Sequence, residues 1–344
     1  MEEIKLTQFS HGSGCGCKIA PKDLDEILKQ VQPSLDTNLI LGNETHDDAA
    51  VYDMKNGTAL ITTTDFFTPI VDDPIQFGRI AATNALSDIY AMGGKPIMAV
   101  AILGWPIGKL PTSMAGDVVE GGRLVCQEAG IPLAGGHSID APEPFFGLAV
   151  NGIVDIEHIK YNNKAQKGDL LFLTKPIGTG IVSTALKRKQ HIPEHVDLII
   201  EHMTTPNTIG GLFGQLDYVH AMTDVTGFGI LGHLIEVCEG SGLSAKINFE
   251  QLPTLDDDVI GDYLKKFIFP DNTFRNFKAY SEKVSTLSGF QLQILCDPQT
   301  SGGLLVTVDP DFEQAFVDFC KNQGLNIESF GVMVEQTEPI VLVE

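Results

Sequence analysis

The run from Phe77 to Met92 constrains the fold more than any other stretch. Its spacing predicts a helix, stopped by Gly93-Gly94 and Pro96. Thr83, Asn84, Ser87 and Asp88 fall at i, i+1, i+4 and i+5 on one narrow face, and Ile80, Ala81, Ala82, Ala85, Leu86 and Ile89 fill the rest. After Arg79 the only charge in the helix is Asp88. A surface helix would carry Lys and Glu along its polar side. A helix of this kind is predicted to be covered on most sides, with its small polar edge facing a site.

The elements around it alternate. Strands are predicted at 49–52, 59–64, 96–103, 131–134 and 145–154, with helices at 21–30 and 112–129. Asp65 closes the second strand, and Gly135 to Asp140 reads as a loop. At 344 residues the chain exceeds the usual size of a single core. The polar, lysine-bearing stretch from Asp155 to Gly168 is the natural boundary, giving domains 1–156 and 157–344. The second half predicts strands at 170–174, 218–223, 244–249, 292–296, 303–308 and 329–334. Helices are predicted from Gly178, over 193–216, from Gly229 to 239 and over 311–323. Asp256 to Asp258 reads as a solvated acidic turn. Thr64-Asp65 and Thr223-Asp224 each follow a strand and precede a helix, a weak internal echo. The class is α/β or α+β layers.

Charge narrows the partners. The formal net charge is -22. That field repels nucleic acid and anionic membranes. No apolar run reaches the ~18 residues of a membrane span. Met1-Glu2-Glu3 lacks the basic-then-apolar start of a secretory signal, so a cytoplasmic location is expected. If such an acidic protein handles phosphates, it needs Mg²⁺ or placed lysines and arginines at the site.

Asp47, Asp48, Asp65, Asp88 and Asp224 stand at predicted strand ends or on the unusual helix face. Carboxylates so placed can converge on a hard cation. Turn and cap chemistry is the plainer explanation for Asp65 and Asp224 taken singly. It serves Asp88 less well, since a buried mid-helix carboxylate is costly without a partner. Lys175 to Gly180 lacks the Gly-Lys-[Ser/Thr] ending of a phosphate-binding loop. A nucleotide would therefore be held through aspartate-bound Mg²⁺. Gly135-Gly136-His137-Ser138 could offer backbone N–H groups to phosphate or ribose, or be only a tight turn.

Glycine and cysteine alternate over Gly14-Cys15-Gly16-Cys17-Lys18, preceded by His11. Such a segment moves unless something pins it. A zinc clip is disfavoured by the Cys-x-Cys spacing and the lack of a second pair. A Cys15–Cys17 disulfide would be strained. A thiolate activated by Lys18 is the favoured reading. Cys126, Cys238 and Cys320 lie in helix-like stretches and are expected to be buried small hydrophobes.

Taken together, His11 to Lys18, Gly42 to Val51, Thr63 to Phe67, Ala81 to Asp88, Ala134 to Asp140, Met222 to Gly229 and Cys296 to Gly303 resemble the selenophosphate synthetase family. The aspartate motifs are shared in looser form with aminoimidazole ribonucleotide synthetase and thiamine monophosphate kinase. The Gly-Cys-Gly-Cys-Lys segment is the specific part. The resemblance implies a two-domain aminoimidazole ribonucleotide synthetase-like fold, with an N-terminal α/β domain pairing across a homodimer and a C-terminal α+β domain. It implies that ATP, selenide and water give selenophosphate, orthophosphate and AMP, with more than one Mg²⁺ on the phosphates. The product would be the selenium donor for selenocysteine and selenouridine synthesis. By the same resemblance Cys15 and Lys18 are catalytic, and Asp48, Asp88 and Asp224 bind metal. Thr45, His46, Asp47, Asp65, Gly136, His137 and Ser138 match nucleotide-contact positions, with Lys18 and Asp88 among them. His46 stands where some members carry arginine. Segment 11–18 would be a mobile cover, and a selenium-delivery protein a further partner. The alternatives are an ATP-dependent ligase or kinase of the aminoimidazole ribonucleotide synthetase type acting on a phosphorylated metabolite, and a metal- or selenium-binding scaffold that hands its cargo to a partner; neither gives work to all of these residues.

Overall fold

The computed structural model describes residues 4–10, 12–14, 16, 18, 26–29, 31, 34, 36–42 and 47–344. The helix expected at 21–30 falls largely outside them. Two six-stranded sheets organise the chain. The first contains β1 (Leu39–Leu41), β2 (Ala50–Asp53), β3 (Thr58–Phe67), β4 (Lys95–Trp105), β5 (Leu133–Asp140) and β6 (Phe145–Asp155), in the order β1-β2-β3-β6-β4-β5. Only the β4–β5 pair is parallel. The second contains β7 (Leu170–Leu173), β8 (Val219–Asp224), β9 (Leu243–Ile247), β10 (Leu304–Val308), β11 (Gly331–Glu335) and β12 (Val341–Val343), in the order β12-β9-β11-β7-β10-β8.

The predicted central helix is α1 (Pro74–Ala91). It starts where the Asp73 side chain accepts from the Gln76 N–H, with Pro74 at the first helical position, where its missing donor costs nothing. All residues from Phe77 to Ala91 are buried except Arg79. One side of α1 packs on β3, β4, β6 and α2 (Thr112–Glu128). The other meets β8, α4 (Pro193–Thr204) and α5 (Ile209–Phe213), reached after α3 (Thr179–Lys187). Burying side chains such as Ile80, Leu86 and Ile89 stabilises by ~1.5–3 kcal/mol each. The same apolar cluster runs from Ile61 and Leu86 to Leu171 and Val225, so both sheets share one core around α1. The remaining helices are α6 (Gly229–Ser241), α7 (Asp257–Lys265), α8 (Asp271–Tyr280), α9 (Gly289–Leu295) and α10 (Glu313–Asn322).

Several expectations need correction. Asp65 lies inside β3, two residues short of its end. The Gly135–Asp140 loop is strand β5, paired with β4 through Gly136↔Ala101 to Asp140↔Trp105. Gly136 lies so close to Ala101 that any Cβ would collide with its backbone. Glycine serves the pairing there, not a turn. The strand predicted at 292–296 is the last part of α9, which begins with a capping box of Ser288 and Gln291. The acidic turn at 256–258 opens α7. The helical region over 193–216 is broken in two between Thr204 and Ile209. Cys126, Cys238 and Cys320 are buried and free, and burial pushes their thiols up to about 11, 12 and 12.

Candidate active site

Period-two geometry aims β3 at α1. Ala59, Ile61 and Phe67 are buried on the helix side, and Thr62, Thr64 and Phe66 are exposed on the other. Thr63 and Asp65 therefore face α1. Their ~6.6 Å spacing matches the ~6 Å between residues one helical turn apart. Thr63 Oγ1 donates to Asp88 Oδ2, and Asn84 Nδ2 donates to Asp65 Oδ2 at 2.6 Å. The polar stripe read from the helix is the stripe that meets the strand.

Two more carboxylates join from elsewhere. Asp224 is the last residue of β8, and its side chain is hydrogen-bonded by Ser87 of α1. Ser87 in turn accepts from Asn207 Nδ2 at 2.9 Å. Asp48 lies in the turn before β2, where Thr223 Oγ1 donates to its Oδ1 at 2.8 Å. Its neighbour Asp47 accepts from the Asn162 N–H at 3.0 Å, which ties the turn to the segment between the sheets. Lys18 supplies the opposite charge, with its ammonium 3.5 Å from Asp65 Oδ2.

The balance is strongly negative. Burial, then Asp224 and Asp88, raise the Asp48 carboxyl well above the usual carboxylate range. Burial, then Asp224 and Asp65, do the same to Asp88, against the Thr63 hydrogen bond and Lys18. Asp224 is raised chiefly by burial, against Ser87, His233 and Lys18. Asp48 Oδ2 and Asp224 Oδ2 are buried without a hydrogen-bond partner. Such oxygens are costly unless a cation meets them. Among the described residues no three His, Cys, Asp or Glu side chains form a ready-made metal cage. Magnesium does not need one, because it keeps waters and phosphate oxygens beside one or two carboxylates. The orphaned oxygens fit that ion.

The glycine-rich segment is pinned wherever it is described. The Gly14 N–H donates to Thr68 O at 3.1 Å. Lys187 Nζ donates to the carbonyls of Ser10 at 3.0 Å and Gly12 at 2.6 Å. Asn272 Nδ2 donates to Gly16 O. A Cβ on Gly14 would strike Thr300 and Ile70. The described residues of this segment are docked on the fold, which the glycine count alone did not suggest.

Asp47, Asp48, Asp65, Asp88, Asp224 and Lys18 are thus brought together. Gly136, His137 and Ser138 are not. They lie on the edge strand β5, three strands from β3, roughly 14 Å at ~4.8 Å per strand. His11, Cys15, Cys17, Thr45 and His46 lie outside the described residues. The supporting donors Thr63, Thr223 and Asn207 were not singled out as site residues. The signal for Thr63 was its position two before Asp65 on a strand, which places both on one face. Lys175, whose surroundings do not form a phosphate-binding loop, is buried. Its Nζ donates to Thr205 O at 2.6 Å and Ser301 O at 2.8 Å, and burial pushes it down to about 7 against the pull of Asp224. It bridges elements of the second half. Ser301 N also donates to Asn84 Oδ1 at 2.8 Å, so the Asp297–Gly303 segment orients the amide that holds Asp65.

Comparison with known proteins extends the geometry. The profile "AIR synthase related protein, N-terminal domain" matches residues 46–154, and its C-terminal counterpart matches 166–344. The chain is 56% identical over 342 residues to a selenide, water dikinase of Colwellia psychrerythraea, covering 99% of each. It is 55% identical over 344 residues to one from Haemophilus influenzae, covering 100% of this chain and 99% of the relative. The solved thiamine monophosphate kinase of Aquifex aeolicus superposes with a TM-score of 0.66 at 18% identity, over 95% of this chain and 98% of that one. At that identity the likeness shows the fold alone.

Proposed function

Because the chain belongs to the selenide, water dikinase family of AIR synthase related proteins, we propose that it carries out that family's reaction at the carboxylate cluster. ATP, selenide and water give selenophosphate, orthophosphate and AMP, and selenophosphate then serves as the selenium donor for selenocysteine and selenouridine synthesis. The observation that carries the site assignment is the meeting of Asp48, Asp88 and Asp224 with two buried, unpartnered oxygens, beside Lys18.

In this reading Asp48, Asp88 and Asp224 hold magnesium, more than one ion. When bound, those ions supply positive charge to phosphate oxygens as two phosphoanhydride bonds break. Thr63 and Thr223 fix the carboxylates that carry them, by donating to the oxygen that does not need to reach the ion. Lys18, held by Asp65, adds a cation for the phosphate chain. Cys15, three residues before Lys18, presents the selenium-handling thiolate. Asp47, with Thr45 and His46 just before it in the sequence, contacts the nucleotide. Docking of Gly12, Gly14 and Gly16 keeps bulk water from the first transfer. Water attacks in the second.

We take residues 1–156 and 157–344 as the two domains. The first sheet leaves the face away from α1 uncovered, with Phe66 48%, Ile97 41% and Ile153 42% exposed. A second copy seated there, in a homodimer, accounts for that apolar face. It also gives Gly136 to Ser138 of β5 a route to the nucleotide of the other protomer. A cytoplasmic location and supply of selenide by a delivery protein complete the reading; no helix is long and apolar enough to cross a membrane among the described residues.

The test is incubation with ATP and Mg²⁺, with and without selenide, followed by phosphorus NMR. Selenide-dependent AMP with a phosphorus–selenium signal is expected. ATP consumption without selenide dependence would reject the reaction. Cys15→Ser should abolish selenophosphate formation while leaving ATP binding near normal; full activity would remove Cys15 from the mechanism.

A further inference from the structure

A cleft of about 420 Å³ opens between the glycine-rich segment and the second half of the chain. Gly12, Ser13 and Gly16 form one wall, and residues of α3 and α8 form the other. Its charge is unlike the rest of the protein. The chain has 23 basic residues against 45 acidic ones, yet Lys187, Arg188 and Arg275 line this one space with a single carboxylate, Asp271. Asp271 lies 3.5 Å from Arg188, which therefore offsets it. Lys187 is committed to the carbonyls of Ser10 and Gly12. Arg275 is exposed, and no described carboxylate stands within ion-pair reach of it. Ser13 Oγ, on the opposite wall, is buried and makes no hydrogen bond. An unpaired guanidinium and an unused hydroxyl donor across one cleft suit a small anion.

The reaction proposed above consumes such an anion. Hydrogen selenide is far more acidic than a thiol and is a monoanion at neutral pH. A surface of net charge -22 repels it. A local basic cleft is the physical means of raising its concentration beside the segment that carries Lys18. We propose that this cleft captures the anionic selenium substrate, with Arg275 as its recognition residue and Ser13 as a second donor. The volume exceeds that of the bare ion, so the anion enters still carrying water and is desolvated further on. This inference rests on the selenide reading of the site, and deepens it by separating the selenium entrance from the ATP site at the carboxylates.

The experiment measures initial rates of AMP release under strictly anaerobic conditions, varying sodium hydrogen selenide and ATP in turn. Wild-type protein is compared with Arg275→Gln, Arg275→Glu and Arg275→Lys. Arg275 is an exposed residue in the middle of α8, so these variants fold. Arg275→Gln is expected to raise the KM for selenide about tenfold, the loss of one charge-assisted contact. Arg275→Glu raises it further, and Arg275→Lys restores most of the wild-type value. kcat and the KM for ATP stay within twofold. The wild-type KM for selenide rises with added salt, and the Arg275→Gln value responds less. Selenide KM values within twofold across all four proteins would overturn the proposal. So would a parallel rise in the KM for ATP, which would make the cleft part of the nucleotide site. Wild-type protein that releases AMP without selenide dependence would overturn the reaction itself, and that control is read before any variant.

Discussion

Magnesium should offset part of the stability that this protein loses as pH rises. Asp48, Asp88 and Asp224 all have carboxyls raised above the usual range, chiefly by burial. In EDTA the native state therefore holds protons that the unfolded chain releases above about pH 4. The native state binds more protons in that window, so stability falls as pH rises from about 4 through the raised values. It is fully present only below the ordinary carboxylate range. Magnesium requires the same groups deprotonated, so its stabilisation grows over the same window and vanishes on acidification. At a hundred times its dissociation constant the ion adds about 2.7 kcal/mol. With roughly 2.1 cal/mol/K of unfolding entropy per residue, a 344-residue chain shifts by about 4 °C for that energy. Differential scanning fluorimetry from pH 5 to 8, in EDTA and in saturating MgCl₂, should show two Tm curves that diverge with pH. Asp224→Asn removes one buried charge and one orphaned oxygen. Its EDTA curve should lie above wild type near pH 8, with most of the magnesium increment gone. Parallel curves in EDTA and magnesium, or an unchanged increment in Asp224→Asn, would refute the assignment of the cluster to a cation.

Three further outcomes follow from individual contacts. Thr63→Val keeps the shape of β3 but removes the donor to Asp88, so the magnesium concentration for half-maximal turnover should rise about tenfold, read by titrating MgCl₂ at fixed ATP. Gly136→Ala drives a Cβ into the Ala101 backbone, and should loosen β5 from β4 at a cost of about 2 kcal/mol, read as a lower urea midpoint and faster hydrogen exchange at residues 133–140. Asp297, just after α9, is buried against the first turn of α3, accepting from the Gly180 N–H at 3.1 Å, and burial pushes its carboxyl up to about 8. Its native state keeps a proton that the unfolded chain loses above about pH 4, so wild-type stability declines from there towards pH 8 on its account. Asp297→Asn should hold the same acceptor without the titration, and its Tm advantage over wild type should grow by several degrees between pH 5 and 8.

Much of the candidate site is legible in the sequence. The stripe of Thr83, Asn84, Ser87 and Asp88 identified a covered helix with a working edge, because composition and the 3.6-residue period are local properties. Asp48, Asp65 and Asp224 are candidates by their places at predicted strand ends, though turn and cap chemistry explains Asp65 and Asp224 as well when each is taken singly. Local reading failed where a distant partner decides the conformation. Gly135 to Asp140 has the composition of a loop, yet pairing with β4 makes it a strand, since backbone hydrogen bonds to a neighbour outweigh weak local preference. Leu292 to Cys296 has the apolar run of a strand, and the Ser288–Gln291 capping box upstream turns it into helix. The glycine-rich segment shows the same division. Its residue types announce a thiolate and an ammonium, and its glycines announce freedom. Only the fold supplies Thr68, Lys187 and Asn272 to take that freedom away. The chemistry of this protein is therefore written in residue identities along the chain. The convergence of Asp48, Asp88 and Asp224 belongs to the tertiary structure, because it brings a turn, a helix and a strand from separate parts of the chain within electrostatic reach.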